Sequence, residues 1–216
     1  MAYGLDSALL MILMDDASRT GELDVSGMDL YALPPLPEGL RTLDVSDTGI
    51  SVLPPLPSTL RHLKACETAI RQLPALPEGL EALLLYDSPI QDLPYHFPST
   101  LRILDCSATW IIEIHSLPDR LELLQCSETI LTRLPWLPES LSILICRDTQ
   151  LPIRVGPEES MESFIQRWRD EECRGRMQSK MRVLKEGIIR EALHPRRVSR
   201  ILELGGVDVF DIWMGC

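Results

Sequence analysis

LRTLDVSDTGISVLPPLPST, Leu40 to Thr59, is followed without a gap by LRHLKACETAIRQLPALPEG, Leu60 to Gly79. The register continues as LEALLLYDSPIQDLPYHFPST from Leu80, LRILDCSATWIIEIHSLPDR from Leu101, LELLQCSETILTRLPWLPES from Leu121 and LSILICRDTQLPI from Leu141. A degenerate earlier copy, GELDVSGMDLYALPPLPEG, starts at Gly21. The opening leucines stand 20, 20, 21, 20 and 20 residues apart, and the extra residue falls at Tyr95-His96-Phe97. Self-similarity at a short fixed period means stacked repeats, each too small to bury a core by itself.

Within each copy apolar residues recur at offsets 0, 3, 5, 10 and 13 from the opening leucine, as in Leu121, Leu124, Cys126, Leu131 and Leu134. This spacing is the grammar of the leucine-rich repeat in its shortest form. It predicts an α/β solenoid, a horseshoe with one strand per repeat at about offsets 2 to 6. The seven strands should stack in parallel about 4.8 Å apart on the concave side. All but three of the 17 prolines lie between Pro34 and Pro138, mostly in an L-P-x-L-P element after offset 13. Proline lacks an N–H and fixes φ, so the convex half should be extended, polyproline-like backbone rather than helix. Offset 8, where such repeats usually carry Asn, holds Thr48, Thr68, Ser88, Thr109, Thr129 and Thr149. A hydroxyl can bond local backbone as Asn does, so these residues are expected to form a modified asparagine ladder.

The L-P-x-L-P-x-x-L-x-x-L signature resembles the repeats of bacterial secreted effectors, the IpaH and YopM group, over about residues 21 to 152. The resemblance implies a protein-binding scaffold. Some members of that group also carry a large C-terminal ubiquitin-ligase domain with its cysteine in a C-x-D motif. About 60 residues follow the repeats here, too few for that domain. Cys146-Arg147-Asp148 matches the triplet, but Cys146 sits at offset 5, as do Cys106 and Cys126. A buried cysteine behaves as a small hydrophobe, so a stacked cysteine spine is the expectation. Cys66, at offset 6, is expected to face outward.

Composition narrows function further. The 216 residues carry a net charge of −11, which argues against a nucleic-acid or membrane binder. The apolar run Ala8 to Met14 is too short to span a bilayer, lacks preceding basic residues and reads poorly as a signal peptide. Six cysteines with no C-x-x-C pair indicate a reduced, intracellular chain. No P-loop, G-x-G-x-x-G, H-E-x-x-H or G-x-S-x-G occurs, and His62, His96, His115 and His194 lack metal-ligand spacing. The sequence therefore predicts no enzyme, no cofactor and no metal.

Binding residues follow from strand alternation, which sends offsets 2, 4 and 6 toward solvent. The early copies are polar there, whereas the later ones carry Ala82, Leu84, Tyr86, Ile103, Leu123, Ile143 and Ile145, with Asp105, Gln125 and Arg147 among them. These ten form the candidate partner-binding face, to be covered by a protein partner, by a second copy of the chain or by the chain's own C-terminus folding over it.

Solenoid ends need caps. Residues 1–20 should cap the first repeat with a helix, Leu5 to Ala17, facing inward through Leu5, Ala8, Leu9, Ile12 and Leu13. Repeats fill 21–155. In 156–216, Pro157 to Glu172 should form a helix with Phe164, Ile165 and Trp168 on one side, followed by a second over Arg176 to Leu193 and a third short one. Residues 173–200 hold nine Lys or Arg against Glu186 and Glu191, while the repeats carry the acid excess, which suggests docking of tail on solenoid. The tail HPRRVSRILELGGVDV also resembles proteins of large DNA viruses, which implies a virion structural subunit as an alternative function.

Overall fold

The computed structural model describes residues 7–151, 163 and 165–170. The chain divides into two compact units, 1–168 and 169–216, and the repeats lie in the first. Helix α1, Ser7–Thr20, leads into seven strands: β1 Glu22–Asp24, β2 Thr42–Asp44, β3 His62–Lys64, β4 Ala82–Leu84, β5 Ile103–Asp105, β6 Leu123–Gln125 and β7 Ile143–Ile145. They form one parallel sheet in chain order. The register pairs equal offsets throughout, so Leu23, Leu43, Leu63, Leu83, Leu104, Leu124 and Leu144 make one continuous row.

Each strand has only three residues, shorter than the five the alternation predicts. A bond ladder on both sides extends their pairing. The offset-5 amide donates to the next repeat's offset-4 carbonyl, as Val45 does to Lys64 at 2.9 Å and Cys106 to Gln125 at 2.8 Å. Two residues on, at offset 7, the chain turns through the left-handed region at Gly27, Asp47, Glu67, Asp87, Ala108, Glu128 and Asp148, with φ between 51° and 69°. Only the first is glycine, the residue that takes this conformation without strain. The offset-7 amide nonetheless joins the ladder in the first six copies, as in Ala108 to Ser127 at 2.8 Å.

Offsets 0, 3 and 10 are buried essentially completely across the repeats, from Leu40, Leu43 and Ile50 to Leu121, Leu124 and Leu131. The L-P-x-L-P half holds neither helix nor strand. It closes each repeat with a turn in which the next opening leucine donates to the carbonyl of a proline three residues back, as Leu60 does to Pro57 at 3.1 Å. The extra residue in the Leu80 copy is absorbed there, with Phe97 packing on the core where Leu56, Leu76 and Leu117 stand in other copies.

The N-terminal cap uses a different stripe from the predicted one. Leu10 and Ala17 are buried, Leu13 and Met14 partly so, while Leu9 and Ile12 are exposed. Every residue from Leu9 to Met14 is apolar, so helical periodicity admits more than one inward face there. At the other end residues 165–170 are helical, with Ile165 and Trp168 buried in the core. The expectations for Leu5, the Ala8 side chain, Phe164 and everything from residue 171 onward fall outside the described residues.

Candidate functional site

The parallel register decides which face residues meet. Ala82, Ile103, Leu123 and Ile143 are successive partners across β4 to β7, and Leu84, Asp105, Gln125 and Ile145 form the row beside them. The first row is apolar from end to end. It remains open to solvent, with Ile103 37% and Ile143 46% exposed and Ala82 and Leu123 half-buried. Leu84 and Ile145 are half-buried, and Tyr86 stands 39% exposed at the edge of β4. The same rows read through β1 to β3 are Glu22, Thr42 and His62, then Asp24, Asp44 and Lys64. Lys64 and Asp44 pair there at 3.3 Å.

Offset 6 departs from the alternation rule. Tyr86 and Arg147 are exposed, Cys66 is half-buried, and Ser107 and Ser127 are buried. The left-handed turn at offset 7 bends the backbone as the strand ends, so offset 6 no longer projects like a strand residue. The two serines serve the fold instead. Ser107 Oγ accepts the Ser127 amide at 3.1 Å, and Ser127 Oγ accepts the Arg147 amide at 3.1 Å. Asp105 is committed in the same way, accepting the Ser107 amide at 3.0 Å, a local bond that Asp44 and Asp24 repeat with Ser46 and Ser26. At Asp24 the Ser26 hydroxyl and amide hold the carboxyl below its usual range.

The offset-8 hydroxyls are structural, as expected. Thr48, Thr109 and Thr129 donate to the offset-5 carbonyl of their own repeat, at 2.7, 2.6 and 2.8 Å. Ser88 reaches back to the Ala65 carbonyl at 2.8 Å and bonds Thr68 at 3.0 Å. The first copy, with Met28 at this offset, uses its backbone amide on Val25. A second hydroxyl series was missed in the sequence: Thr59, Thr100 and Ser140, just before each opening leucine, donate to the previous opening leucine's carbonyl at 2.8, 2.7 and 2.6 Å. Its only sequence signal is Ser or Thr at that offset in alternate copies, with Gly39, Gly79 and Arg120 between them.

No cysteine in the repeats is poised as a nucleophile. Cys106 and Cys126 are buried and Cys146 is half-buried, all as free thiols, and burial pushes each pKa up. Burial does the same at Cys66. A reactive cysteine needs the opposite shift. Among the described residues no group of three His, Cys, Asp or Glu side chains is placed to hold a metal ion. No described helix is long and apolar enough to cross a membrane. At the insertion Tyr95 stacks on His115, with centroids 4.3 Å apart, and Arg133 pairs with Glu113 and holds its carboxyl below the usual range. An open hollow of about 480 Å³ beside them is lined by His96, Phe97, Ser116 and Arg120.

Sheet order, register and the repeated core columns leave one architecture. The chain is a leucine-rich-repeat solenoid. It superposes on YopM from Yersinia enterocolitica with a TM-score of 0.67 at 28% identity, covering 74% of this chain and 37% of that one. On a Shigella effector leucine-rich-repeat domain the TM-score is 0.65 at 27% identity, covering 71% of each chain. A YopM from Yersinia pestis, at 20% identity and a TM-score of 0.57, shares the fold. The leucine-rich-repeat chain thus resembles bacterial effector repeat domains, while spanning little more than a third of the Yersinia enterocolitica protein. No protein-family profile and no curated protein sequence matches it. The viral resemblance of the tail finds no support among these neighbours, and its residues lie outside the described ones.

Proposed function

We propose that this leucine-rich-repeat chain is a non-enzymatic scaffold that binds a protein partner through the strand face of β4 to β7. The supporting observation is the uninterrupted apolar row Ala82, Ile103, Leu123 and Ile143, open to solvent on a soluble-type, strongly charged chain. Burying a large apolar side chain stabilises a contact by about 1.5 to 3 kcal/mol, so this row with Leu84 and Ile145 can carry a specific complex even after association costs. Leu84, Tyr86, Gln125, Ile145 and Arg147 frame the row. Asp105 contributes mainly by holding the Ser107 turn. The likeness to effector repeat domains fits a binding module, and the free thiols at Cys66, Cys106, Cys126 and Cys146 fit a reducing, intracellular compartment.

The test is a triple substitution, Ile103→Asp, Leu123→Asp and Ile145→Asp, in the full chain. Peptides selected for binding the unmodified protein from a random library are expected to compete with one another and to lose binding to the triple variant, with circular dichroism unchanged. Selected peptides that bind the variant equally well refute the assignment.

A further inference from the structure

The two edges of the candidate face are electrically different. On the edge where the chain enters each strand, charges are paired between repeats: Arg61 with Glu81 at 3.3 Å and Arg102 with Glu122 at 2.7 Å. On the exit edge, offset 7 carries Asp47, Glu67, Asp87, Glu128 and Asp148, all exposed. None of the ion pairs among the described residues uses these five carboxylates. Equal offsets align across the sheet, so they form a column of one sign, broken at Ala108, with neighbours about 4.8 Å apart. Like charges at that spacing repel. Arg147, next to Asp148, offsets part of the field at one end.

The apolar row at offset 2 and the acidic column at offset 7 run parallel over the same strands, about 16 Å apart. The offset-4 row of Leu84, Asp105, Gln125 and Ile145 lies between them, a gap that a helix seated over offsets 2 to 4 bridges with long Lys or Arg side chains on that flank. From β4 to β7 the row is three strand spacings, about 14 Å. An α-helix lying along it advances about 5.4 Å per turn, so three turns cover about 16 Å and successive turns stay nearly in step with successive strands. An extended segment presents side chains on one face only every 6.6 to 6.8 Å or so, and falls out of step with the rows at once.

We infer that the partner presents an amphipathic helix of about three turns, its apolar side on Ala82, Ile103, Leu123 and Ile143 and Lys or Arg along the flank that faces Asp87, Glu128 and Asp148. This inference rests on the binding face proposed above and adds the partner's chemistry. Apolar contact supplies the affinity, and the unpaired column supplies orientation and discrimination, because a helix with the opposite flank charge meets uncompensated carboxylates.

The experiment uses the full chain and two synthetic peptides of about 14 residues, with identical leucine stripes on one helical face. One carries Arg along one flank, and the other carries Glu there. Fluorescence anisotropy is expected to show the Arg peptide binding about tenfold or more tighter at low salt, with the gap closing as ionic strength rises. The neutral variant Asp87→Asn, Glu128→Gln and Asp148→Asn keeps side-chain shape at the left-handed positions and is expected to remove the preference. Equal binding of the two peptides, or a preference that survives neutralisation, overturns the inference while leaving the apolar face standing. If Leu123→Asp with Ile143→Asp leaves both peptides bound, the face itself is wrongly placed. If neither peptide binds the full chain, another part of the chain or a second copy occupies the face, and the inference fails.

Discussion

Replacing Thr109 with Val removes one hydrogen bond and almost nothing else. The Thr109 side chain is 3% exposed, and its Oγ1 donates to the Cys106 carbonyl at 2.6 Å. No other donor reaches that carbonyl among the described residues, because the strand ladder uses the offset-4 carbonyl instead. Valine matches the shape and leaves the buried acceptor unpaired, which costs about 1 to 3 kcal/mol. Exchanging a hydroxyl for a methyl returns at most about 0.8 kcal/mol of apolar burial. The expected net loss is therefore about 1 to 2 kcal/mol. With a urea slope of about 2 kcal/mol/M, the unfolding midpoint should fall by about 0.5 to 1 M, read by tryptophan fluorescence. Thr132→Val in the following repeat is the control, since Thr132 is exposed and should shift stability by less than about 0.5 kcal/mol. A Thr109→Val protein with the same midpoint as the unmodified chain would refute the claim that the offset-8 hydroxyl ladder satisfies buried carbonyls.

Two further outcomes follow from turn and thiol geometry. Ala108→Gly should stabilise the chain by about 0.5 to 1 kcal/mol, since relief of the left-handed penalty of about 1 to 2 kcal/mol at φ 52° exceeds glycine's backbone-entropy cost of about 0.5 to 1 kcal/mol; a lowered melting temperature in calorimetry would contradict the strain at offset 7. Iodoacetamide labelling read by peptide mass mapping should modify Cys66 and Cys146 slowly and spare Cys106 and Cys126 in the native chain. Because burial raises the Cys66 and Cys146 pKa values, their labelling should still be climbing with pH where an ordinary thiol has levelled off, and fast labelling of Cys146 at neutral pH would point to an activated nucleophile.

How far the chain could be read without coordinates differs from element to element. The in-register parallel sheet was legible because every repeat makes the same demand at offsets 0, 3, 5 and 10. Stacking identical demands admits one register only. The structural use of the offset-8 threonines was legible too, since their side chains have few bonding options inside a tight turn. Three features were not. The inward face of α1 is Leu10, Leu13, Met14 and Ala17 rather than the stripe through Leu9 and Ile12, because an unbroken apolar run carries no phase. The burial of Ser107 and Ser127 depends on a left-handed turn made by Asp, Glu and Ala, residues that do not announce it as glycine would. The separate roles of Asp105 and Ile103, two apart on one strand, depend on whether a neighbouring amide comes within reach.

By itself the sequence determined the repeat, the strand positions and the leucine columns, since each follows from periodicity along the chain. Tertiary structure alone decided exposure and pairing. Whether a carboxylate finds an arginine one repeat away, as Glu81 and Glu122 do and as Asp87, Glu128 and Asp148 do not among the described residues, depends on distances across the sheet. Those distances appear only once the turns have closed.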